Sequence, residues 1–219
     1  MSVERLNSIQ DKVNEIIQTK QLKITTKIIA VTKTFSPDKI IPLLDKGHIH
    51  YGENKIQESE EKWPALKEKY KNVQLHMVGK LQSNKAKKAV KLFDYIHSLD
   101  SIKLASKISQ YEKELNKKVK LFIQINLGEE NQKSGILLEN LNNFYNYCSK
   151  ELSLQIVGLM CLPPINSNSR KYFEILNKKA KELSLNDLSM GMSSDYEDAV
   201  ENGSTFLRLG TAIFGERKN

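Results

Sequence analysis

The residues of this chain most able to do chemistry stand at the ends of short apolar runs. Ile28-Ile29-Ala30-Val31 is followed by Thr32 and then by Lys33. A free lysine has a pKa of about 10.4, so about one molecule in a thousand carries a neutral amine near pH 7. Burial and neighbouring cations lower that value and make the amine a nucleophile for carbonyl carbons. Lys33 therefore either suits a Schiff base or marks the point where a strand reaches water. Two small-residue turns follow later, Gly191-Met192-Ser193-Ser194-Asp195 and the stretch from Arg208 through Gly210 and Thr211 to Gly215. Backbone N–H donors in such turns, helped by Ser and Thr hydroxyls, favour phosphate. Ordinary helix capping and a tight turn account for the same residues. Arg208 interrupts the apolar run Phe206-Leu207-Arg208-Leu209. Its charge is permanent, so facing inward it needs a phosphate, a ring nitrogen or a buried carboxylate such as Glu53. A structural salt bridge explains it equally well.

The elements that must position these groups alternate. Eight apolar segments read as strands: 27–33, 48–52, 74–79, 94–99, 119–127, 154–162, 187–192 and 204–210. Amphipathic helical segments separate them, among them 37–46, 101–115 and 169–183, with Ser36 as an N-cap and Pro37 at the first helical position. A further helix over 3–19 opens the chain, with Leu6, Ile9, Val13, Ile16 and Ile17 near a 3.6 period. Alternating βαβα builds a parallel sheet. Eight units in one domain, 1–219, predict an α/β fold, a single (β/α)8 TIM barrel with an additional N-terminal helix. The alternative is a doubly wound sheet, whose first turn carries a Gly-rich phosphate loop; here that turn reads Thr32-Lys33-Thr34-Phe35-Ser36-Pro37-Asp38, without glycine. A barrel gathers its chemistry at the C-terminal ends of its strands. That rule brings Lys33, Asn54, His76, Asn126, Lys133, Met160, Ser193, Arg208 and Thr211 to one mouth. Lys33 shares side-chain parity with Ile29 and Val31 and points inward if they do. Amine, phosphate cradle and inward arginine together describe an aldehyde-bearing phosphate, pyridoxal 5′-phosphate (PLP).

Composition narrows the remaining classes. The formal charge is +8 over 219 residues, which raises the prior for anionic partners. The lysines are dispersed, however, and no zinc-finger spacing, RNP motif or aromatic platform accompanies them, so nucleic acid is not expected. No segment is long and apolar enough to span a bilayer, and residues 1–20 lack a signal-peptide h-region, so a cytoplasmic setting without membrane contact is expected. Cys148 and Cys161 have no C-x-x-C spacing and read as two buried free thiols. His48, His50 and His97 read as strand-edge histidines without metal-ligand spacing. Trp63 reads as a packing residue on the second barrel helix. Lys133 reads as a loop-ordering ion pair or an anion contact.

Ala30–Thr34, Tyr51–Glu58 (YGENKIQE), His76–Lys85 (HMVGKLQSNK), Gln124–Gly135 (QINLGEENQKSG), Gly158–Pro164 (GLMCLPP) and Leu188–Arg217 stand in the order and at the intervals of one family. The chain resembles the pyridoxal phosphate homeostasis protein family, also called the proline synthetase co-transcribed family, from about residue 28 to 217. The resemblance implies a barrel similar to the N-terminal domain of alanine racemase, with PLP held as a Schiff base on Lys33. It places Asn54 by the cofactor, Ser193 with its neighbour Ser194, Gly210 and Thr211 at the phosphate, and Arg208 by the pyridine nitrogen. An arginine there keeps that nitrogen unprotonated and weakens the electron sink. One departure is Lys80, where the family has a proline that would start a helix.

The resemblance implies a PLP carrier or regulator acting in vitamin B6 and amino-acid homeostasis without substantial catalysis. PLP-requiring apoenzymes are its possible recipients, and a monomer is expected. The alternative is a small PLP-dependent racemase or lyase using Lys33 as acid/base. Alanine racemase draws a second base, a tyrosine, from an additional domain; with the chain ending at Asn219, Tyr51 or His76 would have to substitute. A Schiff-base aldolase often carries its lysine on strand six, which here ends in Gly158-Leu159-Met160-Cys161-Leu162-Pro163-Pro164 without one.

Overall fold

The computed structural model describes residues 1–130 and 134–216. Lys133 lies outside them. Eight parallel strands close into a barrel in sequence order, β1 pairing with both β2 and β8. They are β1 Lys27–Val31, β2 His50–Glu53, β3 Gln74–Met77, β4 Tyr95–Leu99, β5 Lys120–Ile125, β6 Ile156–Cys161, β7 Asp187–Ser189 and β8 Phe206–Leu209. The (β/α)8 expectation holds, and so does the opening helix α1, Ser2–Thr19. The remaining helices are α2 Pro37–Asp45, α3 Ile56–Lys69, α4 Ala86–Leu92, α5 Ile102–Glu114, α6 Leu141–Asn146, α7 Ser169–Glu182, α8 Tyr196–Glu201 and α9 Thr211–Phe214.

Alternation along each strand produces two cores. On β1, Ile28 and Ala30 face the helices, while Ile29 and Val31 face the barrel interior. The outer core takes Ile40, Leu43, Trp63, Leu104, Ile108, Phe173 and Leu176 from helical positions three or four apart. Burying each such side chain contributes ~1.5–3 kcal/mol. The inner core is small: Ile29, Val31, Tyr95, Phe122, Met160 and Phe206. Helix α1 buries Ile9, Val13 and Ile16 and packs against α2, α8 and α9.

Several boundaries are shorter than the apolar runs suggest. β7 stops at Ser189 because Gly191 turns to φ +91°, where a Cβ would lie 2.6 Å from that of Ala199. β8 starts only at Phe206; before it, the Ser204 hydroxyl donates to the Met190 carbonyl at 2.7 Å and that of Thr205 to Asp187 Oδ1 at 2.9 Å. Ser36 sits at the N-cap of α2 without bonding through its side chain, and Pro37 opens the helix as expected. Trp63 is fully buried in α3. Lys80 does not start a helix: a 3₁₀ turn over Ser83–Lys85 and then α4 come later, and Lys80 stands exposed before them. Both thiols are free and buried, each pushed up to about 12 by burial.

Candidate cofactor site

At the C-terminal mouth lies a cavity of about 470 Å³. All seven residues assigned to cofactor binding from the sequence line it: Lys33, Asn54, Ser193, Ser194, Arg208, Gly210 and Thr211. Val31, Phe35, Val78, Leu162 and Met192 supply its apolar wall. A few polar groups converging in a mostly apolar pocket is the usual make-up of a small-molecule site.

Lys33 continues the inward parity of Ile29 and Val31 and is half-buried. Its backbone is held from the other side. Thr32 points outward, and its hydroxyl donates to Glu53 Oε1 at 2.6 Å. Lys62 Nζ, from α3, donates to the Thr32 carbonyl, to Glu53 Oε1 and to Glu58 Oε1, each at 2.9 Å. Trp63 Nε1 donates to Glu53 Oε1 at 3.0 Å. Thr34 adopts φ +67°, uncommon for a residue with a branched Cβ. Its N–H donates to Glu58 Oε1 at 2.6 Å, which holds that conformation. Glu53, Lys62 and Glu58 thus clamp the segment that carries Lys33. Only Glu53 was singled out from the sequence, as a partner for Arg208, and that pairing does not form, because Glu53 faces α3 rather than the interior.

Arg208 does face inward, beside Ile29 in the β1–β8 register, and is buried. Nη1 donates to Ser189 Oγ at 2.7 Å and Nη2 to the Cys161 carbonyl at 2.9 Å. Both acceptors are neutral, and among the described residues no carboxylate forms a salt bridge with it. Burial lowers its pKa from the ordinary arginine value. Asp195 favours its charge only from a distance; a buried cation whose hydrogen bonds all go to neutral acceptors is costly, and a ligand offering a lone pair or negative charge relieves that cost.

The two small turns meet across the mouth. Ala212 N–H donates to Ser193 Oγ at 3.1 Å, tying the β8–α9 turn to the β7–α8 turn. Asp195 Oδ1 accepts from Met192 N–H at 2.7 Å and closes the latter. Among the described residues, the N–H groups of Ser193, Ser194, Gly210 and Thr211 have no protein acceptor. Opposite them, Asn54 Oδ1 is buried and also has no partner. Asn54 is set by Gly79, where a Cβ would lie 2.5 Å from the Asn54 carbonyl oxygen and 2.7 Å from its Cα. Backbone atoms cannot give way cheaply, so Gly79→Ala is expected to destabilise the fold by about 1–3 kcal/mol. Urea unfolding measures this; an unchanged midpoint would show that the contact is slack.

Neither side chain offered as a second base reaches the cavity. Tyr51 points outward against Trp63, its hydroxyl buried and its pKa raised by burial. His76 lies inside the barrel beneath the cavity, hydrogen-bonded to two other histidines. Of the histidines read as strand-edge residues, His48 stands just before β2, while His50 and His97 meet His76 in the interior.

Residues 5–218 match the family described as alanine racemase, N-terminal domain. A pyridoxal phosphate homeostasis protein of Aquifex aeolicus is 35% identical over 225 residues, spanning 98% of both chains. The chain belongs to the pyridoxal phosphate homeostasis protein family. Within that likeness, the structure of PipY from Synechococcus elongatus with PLP bound is 35% identical, with a TM-score of 0.86, covering 98% of this chain and 100% of that one. Alanine racemase of Clostridium difficile, at 15% identity and a TM-score of 0.70, covers 95% of this chain and 57% of that one and shares the fold. No helix among the described residues is long and apolar enough to cross a membrane.

Proposed function

We propose that this protein binds PLP in the cavity at the barrel mouth, anchored covalently through Lys33, and serves vitamin B6 and amino-acid homeostasis without substantial turnover. One observation carries the reading. The cavity gathers an amine, an unpartnered Asn54 oxygen, a buried arginine hydrogen-bonded only to neutral acceptors and four unclaimed N–H groups. These are the complements of an aldehyde, a ring hydroxyl, a ring nitrogen and a phosphate, so the residues present fit the group.

When bound, PLP supplies an aldehyde that condenses with an amine and a ring that draws electrons from what is attached to it. The protein's own contribution is to grip and orient. Lys33 is the nucleophile. The N–H groups of Ser193, Ser194, Gly210 and Thr211 hold the phosphate. Arg208 donates toward the ring nitrogen and, being unable to take a proton from water or give one up, keeps that nitrogen unprotonated. An unprotonated ring is a poor electron sink, which supports a carrier over an enzyme. The distance of Tyr51 and His76 from the cavity supports it too. Transfer of the cofactor to PLP-requiring apoenzymes, action as a monomer and a cytoplasmic setting belong to the same proposal.

The test is a titration of PLP-free protein with PLP, followed by an assay on D- and L-alanine. A saturable visible absorption band without racemisation is expected. Robust racemisation by the purified protein would overturn the carrier reading, and no uptake of PLP would overturn the whole.

A further inference from the structure

The barrel interior holds one polar chain that the cavity does not account for. His50 Nδ1 lies 3.0 Å from His76 Nε2, His76 Nδ1 2.9 Å from His97 Nε2, and His97 Nδ1 2.7 Å from Ser189 Oγ. Arg208 Nη1 reaches the same Ser189 oxygen at 2.7 Å. His76 and His97 are fully buried, stacked on Tyr95 and Phe122 respectively. His50 is half-buried at the base of the barrel.

Counting protons gives the chain a direction. A guanidinium only donates, so Ser189 accepts from Arg208. The Ser189 hydroxyl proton then has one acceptor among the described residues, His97 Nδ1. His97 must carry its own proton on Nε2 and donates it to His76 Nδ1. His76 likewise donates through Nε2 to His50 Nδ1, and His50 keeps its Nε2–H at the base. The opposite direction leaves the buried serine proton without an acceptor, which burial penalises. A fully charged chain is disfavoured from both ends. Arg208 faces His97, while His48, Lys27 and Lys120 surround His50. Burial, the larger effect, holds His76 and His97 well below the ordinary histidine value, and burial with these cations lowers His50 to about 4.

We propose that His50, His76 and His97 are positioning residues for Arg208: as three neutral Nε2–H tautomers they draw the Ser189 proton away from the guanidinium and present Ser189 to it as a fixed neutral acceptor. The inference rests on the reading that Arg208 faces the ring nitrogen of PLP. A carboxylate in place of Ser189 would hold the arginine equally firmly but cancel its charge. A neutral chain fixes the guanidinium and leaves its full charge to the cofactor. The same cavity can then grip PLP while restraining its electron withdrawal.

Two measurements test this. Long-range 15N–1H correlation on histidine-labelled wild-type protein, with and without PLP, reports each imidazole's tautomer near neutral pH. All three should be protonated at Nε2 and bare at Nδ1. Any Nδ1–H tautomer or imidazolium among them overturns the proposal, even in a protein that binds PLP normally. If the tautomers are as assigned but PLP is not taken up, the cofactor reading fails instead. The second measurement compares His97→Phe, which keeps the ring stack and removes both hydrogen bonds, with His97→Gln, whose amide can accept from Ser189 and donate to His76. The Phe variant should bind PLP about tenfold more weakly, the scale of one lost hydrogen bond at a charged group, with a displaced absorption band. The Gln variant should restore both. Equal affinity and equal spectra in the two variants would also overturn the proposal.

Discussion

Lys33→Ala is expected to abolish the covalent PLP adduct. After borohydride reduction, wild-type protein should yield one modified peptide, containing Lys33, and the variant none. Lys33→Arg separates charge from nucleophilicity. It keeps a cation at the mouth, but a guanidinium is protonated under all ordinary conditions and does not add to aldehydes as a lysine amine does. It too should give no reducible adduct, while retaining part of the non-covalent grip through the two turns and Arg208. Both variants should fold, since Lys33 is only half-buried and extends toward the cavity rather than into either core. An adduct mapped to another lysine, with Lys33 unmodified, would sink the assignment of the anchor.

The second large effect lies behind that anchor. Lys62→Met should destabilise the fold by about 3–5 kcal/mol, because it leaves the Glu53 carboxylate buried with its cation gone. Glu53 is fully buried and Lys62 nearly so, so solvent screens the pair little. The double variant Glu53→Gln with Lys62→Met should lose far less than the sum. Its amide oxygen can still accept from Thr32 and Trp63, and no unpaired charge remains. Denaturant unfolding of the four proteins gives the coupling energy directly. Additive losses would show that the two residues act separately. Lys62→Met should also slow attachment of PLP to Lys33, because the Thr32 carbonyl and Glu58 lose their common donor and Thr34 its support.

Much of the architecture was legible because barrel strands and helices write different periods. Ile28–Val31, Leu121–Ile123 and Ile156–Cys161 are continuous and apolar, as strands covered on both faces must be. Helix α5 was legible in segment 101–115 from the helical spacing of Ile102, Ala105, Ile108 and Leu115; its cap, where Ser101 Oγ accepts from Leu104 N–H, emerged only in the structure. The positions of the candidate site residues followed from parity and from the rule that strand ends converge. What escaped depends on register between strands. His50, His76 and His97 each share the inward face of their own strand, but only the stagger of β2, β3 and β4 places their nitrogens within bonding distance. Reading parity on the histidines as it was read on Lys33 would have drawn them inward. Ser189 and the Cys161 carbonyl looked like ordinary strand residues. The Glu53–Lys62 pair joins a strand to the helix after it, a separation that no single helical or strand period marks.

The placement of α1 bears on how the protein comes into being. Residues 2–19 are made long before α8 and α9, residues 196–214, on which they pack. β1 likewise waits for β8 to complete its pairing. Contacts of such long sequence separation form late and slow folding. On the ribosome, α1 and β1 must therefore remain partly uncovered until α8, β8 and α9 emerge. The turns of Ser193 and Gly210 take their places in the same closing event, so the cradle proposed for phosphate is not assembled before β8 and α9 have emerged. On the proposed reading, cofactor capture and barrel closure become a single step, and PLP is withdrawn from the pool only by closed barrels.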